Sequence, residues 1–364
     1  MNRTLRGSTL AIAIATGLAA YGSGAHAAVT FSTFVSGGDI SAVEGQNNTI
    51  AFNYAGNKFV GSVYFGANNL QLFSTDLTGH NVQPFGSPLP SGGGEVVVGA
   101  SLGKAGFGTG DIYAGPDSNI YRYSNSGGAP TLFGSTDDGS TVRQIFFDPG
   151  NTFGGKMLVS TNSGHILSFD GAGNRTLIAN IGVDTEGMDI ASSNYGKYAG
   201  QLLVAAEGNG GLYAISPGGT VTQLKDGSTG GAIFLNLAET VSVVPLDFGL
   251  SGDPLEGFYV ANYPVDIQKA GITSEFSAYL GDAIVTQEFP SNSPLWDLHY
   301  NGDTLDSFTL TQIGNLPNQS EDGIFVTAQR IQDTNTVPEP ASLALVLTGL
   351  AALGGLTRRR RPRG

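Results

Sequence analysis

Gly110-Asp111-Ile112-Tyr113-Ala114, a polar turn, then Asn119-Ile120-Tyr121-Arg122-Tyr123: this stretch decides the fold, because its pattern returns along the chain. A glycine precedes a short apolar strand, and a second strand follows a turn. Gly61-Ser62-Val63-Tyr64-Phe65 leads in the same way to Asn69-Leu70-Gln71-Leu72-Phe73. Gly155-Lys156-Met157-Leu158-Val159 leads to His165-Ile166-Leu167-Ser168-Phe169, and Gly200-Gln201-Leu202-Leu203-Val204 to Gly211-Leu212-Tyr213-Ala214-Ile215. The four starting glycines are 49, 45 and 45 residues apart. A unit of about 45 residues with four short strands is one blade of a β-propeller. One blade has two apolar faces and buries neither alone, whereas a ring of blades buries them all.

Working outward, a fifth copy starts at Glu256-Gly257-Phe258-Tyr259-Val260-Ala261 and a sixth at Asp322-Gly323-Ile324-Phe325-Val326. The sixth has little chain left to complete it. Its missing strands must come from the N-terminal side, where Thr30–Val35 and Thr49–Phe52 are available. The expectation is an all-β propeller of six blades, closed by strands from both ends, with seven blades as the alternative. A β-sandwich or β-helix could also carry short strands of this kind.

Composition agrees. The chain has 55 glycines in 364 residues, interleaved with Val, Ile, Phe and Tyr without a three-residue period, which favours many short strands and tight turns over collagen. It has no cysteine, so thiol catalysis, Cys–zinc sites and disulfides are excluded. Residues 28–336 hold 10 Lys or Arg against 29 Asp or Glu, a net charge of −19. A body this acidic repels nucleic acid and anionic lipid, so no nucleic-acid partner is expected.

Both ends carry targeting features. Arg3 and Arg6 precede an apolar run from Leu10 to Ala20, and Ala25-His26-Ala27 fits small-x-small cleavage, which predicts a signal peptide over 1–27 cut after Ala27. At the other end stand Val337-Pro338-Glu339-Pro340, an uncharged stretch 341–357, and Arg358-Arg359-Arg360-Arg361 with Arg363. As a helix, 341–357 would be about 25 Å long, near the thickness of a hydrocarbon core. The arginines of 358–363 form a stop that stays cytoplasmic. The body is therefore 28–326, and residues 327–337, mostly polar, read as a tether.

The order Val-Pro-Glu-Pro, apolar stretch, arginine cluster over 338–363 closely resembles the PEP-CTERM sorting signal of Gram-negative bacteria. That resemblance implies recognition of Pro338, Glu339 and Pro340 by an exosortase-type processing enzyme. It also implies removal of the apolar segment, and delivery from the membrane to the cell surface or an exopolysaccharide matrix. Gln144–Asp148 and Glu186–Ile190 resemble the inner strands of NHL-type and gluconolactonase-type propellers, over roughly residues 60–265.

Chemistry is less legible. Gly99-Ala100-Ser101-Leu102-Gly103 fits a nucleophile elbow, but the glycine-rich 104–110 that follows makes a poor helix. Gly150–Lys156 mimics a phosphate loop, but Met157 stands where a hydroxyl should hold magnesium. Asp297 and His299 share one face of a strand, as an acid–base pair or an outward polar face would. No catalytic residue is assigned. Asp184, Glu186 and Asp189 lie in one segment, with Glu207 a strand later; oxygen ligands of this kind suit calcium. Asp189 and Glu207, with Glu186, form the candidate metal set, and solvated turns are the competing reading. The favoured function is a non-enzymatic binding or scaffolding propeller associated with exopolysaccharide. The alternatives are a calcium-dependent lactonase or glycan lyase, and a purely structural matrix component.

Overall fold

The computed structural model describes residues 28–65, 70–289 and 291–335. The expected signal peptide with Ala27, the Pro338–Pro340 motif, the 341–357 stretch and Arg358–Arg361 lie outside the described residues. No helix among the described residues is long and apolar enough to cross a membrane.

The chain opens with strand β1 (Phe31–Val35) and a two-turn helix α1 (Gly37–Glu44), capped by the Ser36 hydroxyl at Asp39 N and stopped by Gly45 at φ 75°. Four regular blades follow. The first holds β2 (Thr49–Tyr54), β3 (Phe59–Val63), β4 (Leu72–Thr75) and β5 (Gln83–Phe85). The second holds β6 (Val97–Leu102), β7 (Thr109–Gly115), β8 (Asn119–Ser124) and β9 (Gly127–Ser135). The third holds β10 (Val142–Phe147), β11 (Met157–Thr161), β12 (His165–Phe169) and β13 (Arg175–Asn180). The fourth holds β14 (Met188–Ile190), β15 (Leu202–Ala206), β16 (Gly211–Ile215) and β17 (Val221–Gln223). Each is an antiparallel meander. Its two middle strands are mostly buried and its last is largely exposed, as in β9 and β13. Apolar residues on both faces of the inner strands pack against the neighbouring blades.

The last two blades interlock. After β18 (Ala238–Val243), the hairpin β19 (Gly257–Tyr263) and β20 (Asp266–Ala270) leaves for the next sheet. The chain then returns as β21 (Ala283–Gln287), β22 (Pro294–Tyr300) and β23 (Phe308–Asn315) to complete the blade begun by β18. Finally β24 (Gln319–Val326) adds to β19, giving a closing sheet of order β1-β20-β19-β24. The ring has six blades. The expected closure holds, since β1 and β24 share one sheet, while Thr49–Tyr54 is the inner strand of its own blade. The expected fifth and sixth copies are corrected: Gly257–Ala261 and Asp322–Val326 are neighbours in one sheet.

The closing seam is aromatic. Phe52 stacks on Phe59 at 4.8 Å, and Tyr259 of the last blade lies 4.9 Å from Phe59 and 4.8 Å from Phe34. Such pairs contribute about 0.5–1.5 kcal/mol each beyond their burial. Elsewhere the inner strands are stitched to the next blade by side chains. Asn53 Nδ2 donates to Val98 O (3.3 Å), Met188 N to Gln144 Oε1 (2.6 Å), and Val243 N to Asp189 Oδ2 (2.8 Å). Ser242 Oγ donates to Gly323 O (2.9 Å), and Phe52 N to Asp322 Oδ2 (3.5 Å). Between the second and third blades Gly99 provides close approach instead: a Cβ there would stand 2.5 Å from Ile145 Cγ2.

Of the stretch expected to be a tether, Ala328–Asn335 forms helix α2. Ile331 is buried in the core shared by the first, second and last blades, Asp333 pairs with Lys104 at 3.0 Å, and Arg330 Nη1 donates to Asn53 Oδ1 at 2.9 Å. All six inner strands run the same way. Their starts surround one channel mouth, and their ends surround the other, which α2 covers.

Candidate functional site

The open mouth is built from the starts of the inner strands and the turns beside them. Glu95 precedes β6, Arg143 lies in β10, Glu186 precedes β14, and Glu239 and Glu321 lie in β18 and β24. Asp184 stands before β14, Glu207 in the β15–β16 turn, and Glu288 just after β21. Seven carboxylates thus face one guanidinium.

Arg143 neutralises one side of this ring. It forks onto Asp184, with Nε to Oδ1 at 3.1 Å and Nη2 to Oδ2 at 2.7 Å. It also reaches Glu186 Oε1 at 3.0 Å, Glu207 Oε2 at 3.7 Å, and Glu95 through Nη1. Burial alone would lower the guanidinium pKa, but Glu186, Asp184 and Glu95 together raise it. Asp184, Glu186 and Glu207 do converge, with ligand-capable atoms all within 4.8 Å, yet Arg143 already occupies that centre.

Among the described residues no cation pairs with the acids of the other side, which Arg143 affects only at longer range. Glu239 is 7 % exposed, borders the 30 Å³ space at the mouth, and its carboxylate makes no hydrogen bond or ion pair. Burial drives its pKa well above the usual carboxylate range, and Glu186, Glu321, Glu288 and Glu207 push further. Glu321 is raised by burial and then by Glu288, Glu95 and Glu207. Glu288 is raised to about 7 by burial and then by the neighbouring Glu207 and Glu95, against the lowering effect of Arg143. Tyr263 is raised too, by burial and then by Glu321, Tyr64, Glu95 and Glu288. Around this rim Tyr64, Phe234 and Phe289 are exposed.

Of the sequence-predicted metal set, Glu186 and Glu207 come together and Asp189 does not join them. Both Asp189 oxygens accept backbone N–H groups, from Ile190 (2.7 Å) and Val243 (2.8 Å), so this carboxylate ties two blades together. Burial raises it to about 6. Glu186 and Glu207 converge with Asp184 closely enough for one ion, with the Arg143 guanidinium among them. Glu95, Arg143, Glu239, Glu288 and Glu321 were not legible as a set. A signal was present: Val142-Arg143-Gln144, Ala238-Glu239-Thr240 and Glu321-Asp322-Gly323 each carry a charge at an inner-strand start.

The other sequence motifs resolve as structure. Ser101 lies buried in β6 and accepts from Gly103 N at 3.1 Å, with a turn and no helix after it. Gly150–Lys156 wraps the Asp148 carboxylate, which accepts from Gly150, Phe153 and Gly155 N–H groups. His299 pairs through Nδ1 with Asp282 Oδ2 at 2.9 Å rather than with Asp297. His165 pairs with Asp138 at 2.6 Å.

No protein-family model and no curated protein matches the chain. Among solved structures it is similar to a streptogramin B lyase, at 11% identity and TM-score 0.49 over 79% of this chain and 74% of that one. It is similar to a catalytically inactive virginiamycin B lyase from Staphylococcus aureus with quinupristin, at 10% identity and TM-score 0.47 over 79% and 74%. A candidate gluconolactonase gives 10% and 0.47 over 80% and 83%. These likenesses carry no argument about what the mouth binds, and the propeller assignment rests on strand order.

Proposed function

We propose that this chain is an exported, surface-tethered binding propeller that takes protonated amines of an extracellular polymer at its acidic mouth. Export, sorting by an exosortase-type enzyme and association with exopolysaccharide enter from the sequence, through the signal peptide and the tail at 338–363. The observation that carries the binding reading is the Glu239 carboxylate: buried, without a hydrogen bond or ion pair, and beside Glu288 and Glu321, none of which forms an ion pair with Arg143. A buried carboxylate is stabilised by a cation that also donates hydrogen bonds. The 30 Å³ space suits one ammonium head. Tyr64, Phe234 and Phe289 offer ring faces on which sugar C–H groups stack. A polymer of amino sugars supplies both features.

Calorimetric titration with a glucosamine oligomer at low salt tests this. Binding is expected for the wild type, and it should be lost in Glu239→Gln and with the neutral N-acetylated oligomer. Equal binding of the acetylated oligomer would contradict the amine's role. Calcium binding without amine binding would restore the metal reading.

A second reading has one observation behind it. Glu288 stands beside Glu207, and burial raises it to about 7, in the range a general acid–base carboxyl uses. The calcium-dependent enzyme alternative would act there, and turnover of a glycan or lactone that Glu288→Gln abolishes would establish it.

A further inference from the structure

We infer that the face carrying α2 is a docking surface for a lipid bilayer. The inference rests on the reading of 341–357 as a membrane segment.

Three loops meet on this face. They follow the ends of β18, β20 and β22, and strand register places all three at the α2 end, since Val243 lies opposite Ala283 and Ala283 opposite Leu298. Lys269 of β20 likewise lies opposite Tyr259, near the start of β19, whose Gly257 faces Val326 at the end of β24. From these loops Leu246, Leu250, Ile272 and Leu305 project into solvent, with Leu250 78 % and Leu305 67 % exposed. They form one neighbourhood. The Leu250 turn and Ile272 border the same shallow hollow. Leu246 packs beside Gly281, where a Cβ would stand 2.8 Å from its Cδ2. Asn194 Nδ2 donates to Leu280 O at 2.9 Å, and the segment holding Asn194 bonds through Lys197 N to Asp303 in the Leu305 loop.

The place where the chain leaves the ring selects the occupant. Asn335 ends α2 on this face, and five residues separate it from Ala341, where the uncharged stretch begins. Even fully extended they span at most about 20 Å. The face is therefore held close to the boundary of any bilayer that the tail enters. Four aliphatic side chains at the tips of loops then have hydrocarbon within reach. The large hydrophobics exposed on the opposite face are mainly aromatic, with Phe234 in the connection before β18 and Phe289 beside Glu288, and one smaller aliphatic, Val265, in the β19–β20 turn. The absence of cysteine makes the test clean.

Single cysteines replacing Leu250, Phe234 and Leu347 are labelled with bimane in the full chain, reconstituted one copy per phosphatidylcholine nanodisc. Quenching by lipids carrying a shallow nitroxide is then read. The account expects several-fold stronger quenching at position 250 than at 234, with 347 also quenched. Quenching at 347 with none at 250 overturns the docking face and leaves the membrane segment standing. No quenching at 347 overturns the reading beneath it. Equal quenching at 250 and 234 overturns the sidedness. Because Leu250 is exposed, its replacement leaves the fold intact, and Ile272→Cys gives an independent repeat.

Discussion

The two mouths of one channel solve the same problem in opposite ways. Both gather buried carboxylates where inner strands crowd together. At the covered mouth Asp189 and Asp322 accept backbone N–H groups from Val243 and Phe52, and the Arg330 guanidinium comes down from α2 among them. Their charges serve the ring itself. At the open mouth Arg143 pairs with Glu95, Asp184, Glu186 and Glu207, while Glu288 and Glu321 feel it only at longer range and Glu239 has no ion pair among the described residues. Burial of charge is therefore not itself the mark of a site. Burial without a partner is.

The largest expected effect breaks the compensated half. Arg143→Met leaves four acids facing one another, and a loss of about 3–5 kcal/mol is expected in urea unfolding. Arg330→Met should cost less, about 1–3 kcal/mol, because Asp189 and Asp322 keep their backbone donors. Equal losses would erase the distinction between the mouths. Glu239→Gln keeps the shape and takes away a carboxyl that burial and its acidic neighbours oppose ionising, so it should raise stability as pH increases, by on the order of 1 kcal/mol. A destabilised Gln variant would mean that Glu239 has a partner in solution.

The smallest effect is a slope with pH. Glu288 and Asp297 are raised to about 7, and Asp189 and Asp322 to about 6, in each case first by burial. A carboxyl whose folded pKa exceeds its unfolded one binds its proton first in the folded state. Its stability contribution is complete below the unfolded pKa and is lost as pH rises through the folded pKa. Melting temperature should therefore climb as pH falls from about 8 toward about 5. Glu288→Gln should flatten the upper part of that slope, and an unchanged slope would remove Glu288 as its source.

Much of this ring could be read from its regular half. The first four blades announce themselves because one glycine-led strand recurs at a near-constant interval. The interlocked pair could not be read the same way. Gly257–Tyr263 has the apolar pattern of any second strand, and nothing local says that its hairpin pairs with β24 rather than β18. Register across blades is settled by packing at the aromatic seam of Phe34, Phe52, Phe59 and Tyr259. The site was missed for a related reason. A repeat phased on its second strand hides charges at the start of the first, so Arg143, Glu239 and Glu321 read as isolated residues. Proximity in sequence instead favoured Asp189, which backbone donors had already claimed. Helix α2 was hidden by its polar sequence: it packs through one buried apolar residue, Ile331, and otherwise through the polar contacts of Arg330 and Asp333, too little for a helical period to show.

The most direct test of the claim that the two mouths differ is hydrogen exchange of the described body with and without a glucosamine oligomer. The account predicts slowed exchange at 237–241, 286–289 and 319–323, where Glu239, Glu288 and Glu321 line the open mouth, and unchanged exchange in α2 at 328–335. Protection confined to α2, or absent from all three open-mouth segments at saturating ligand, would contradict it.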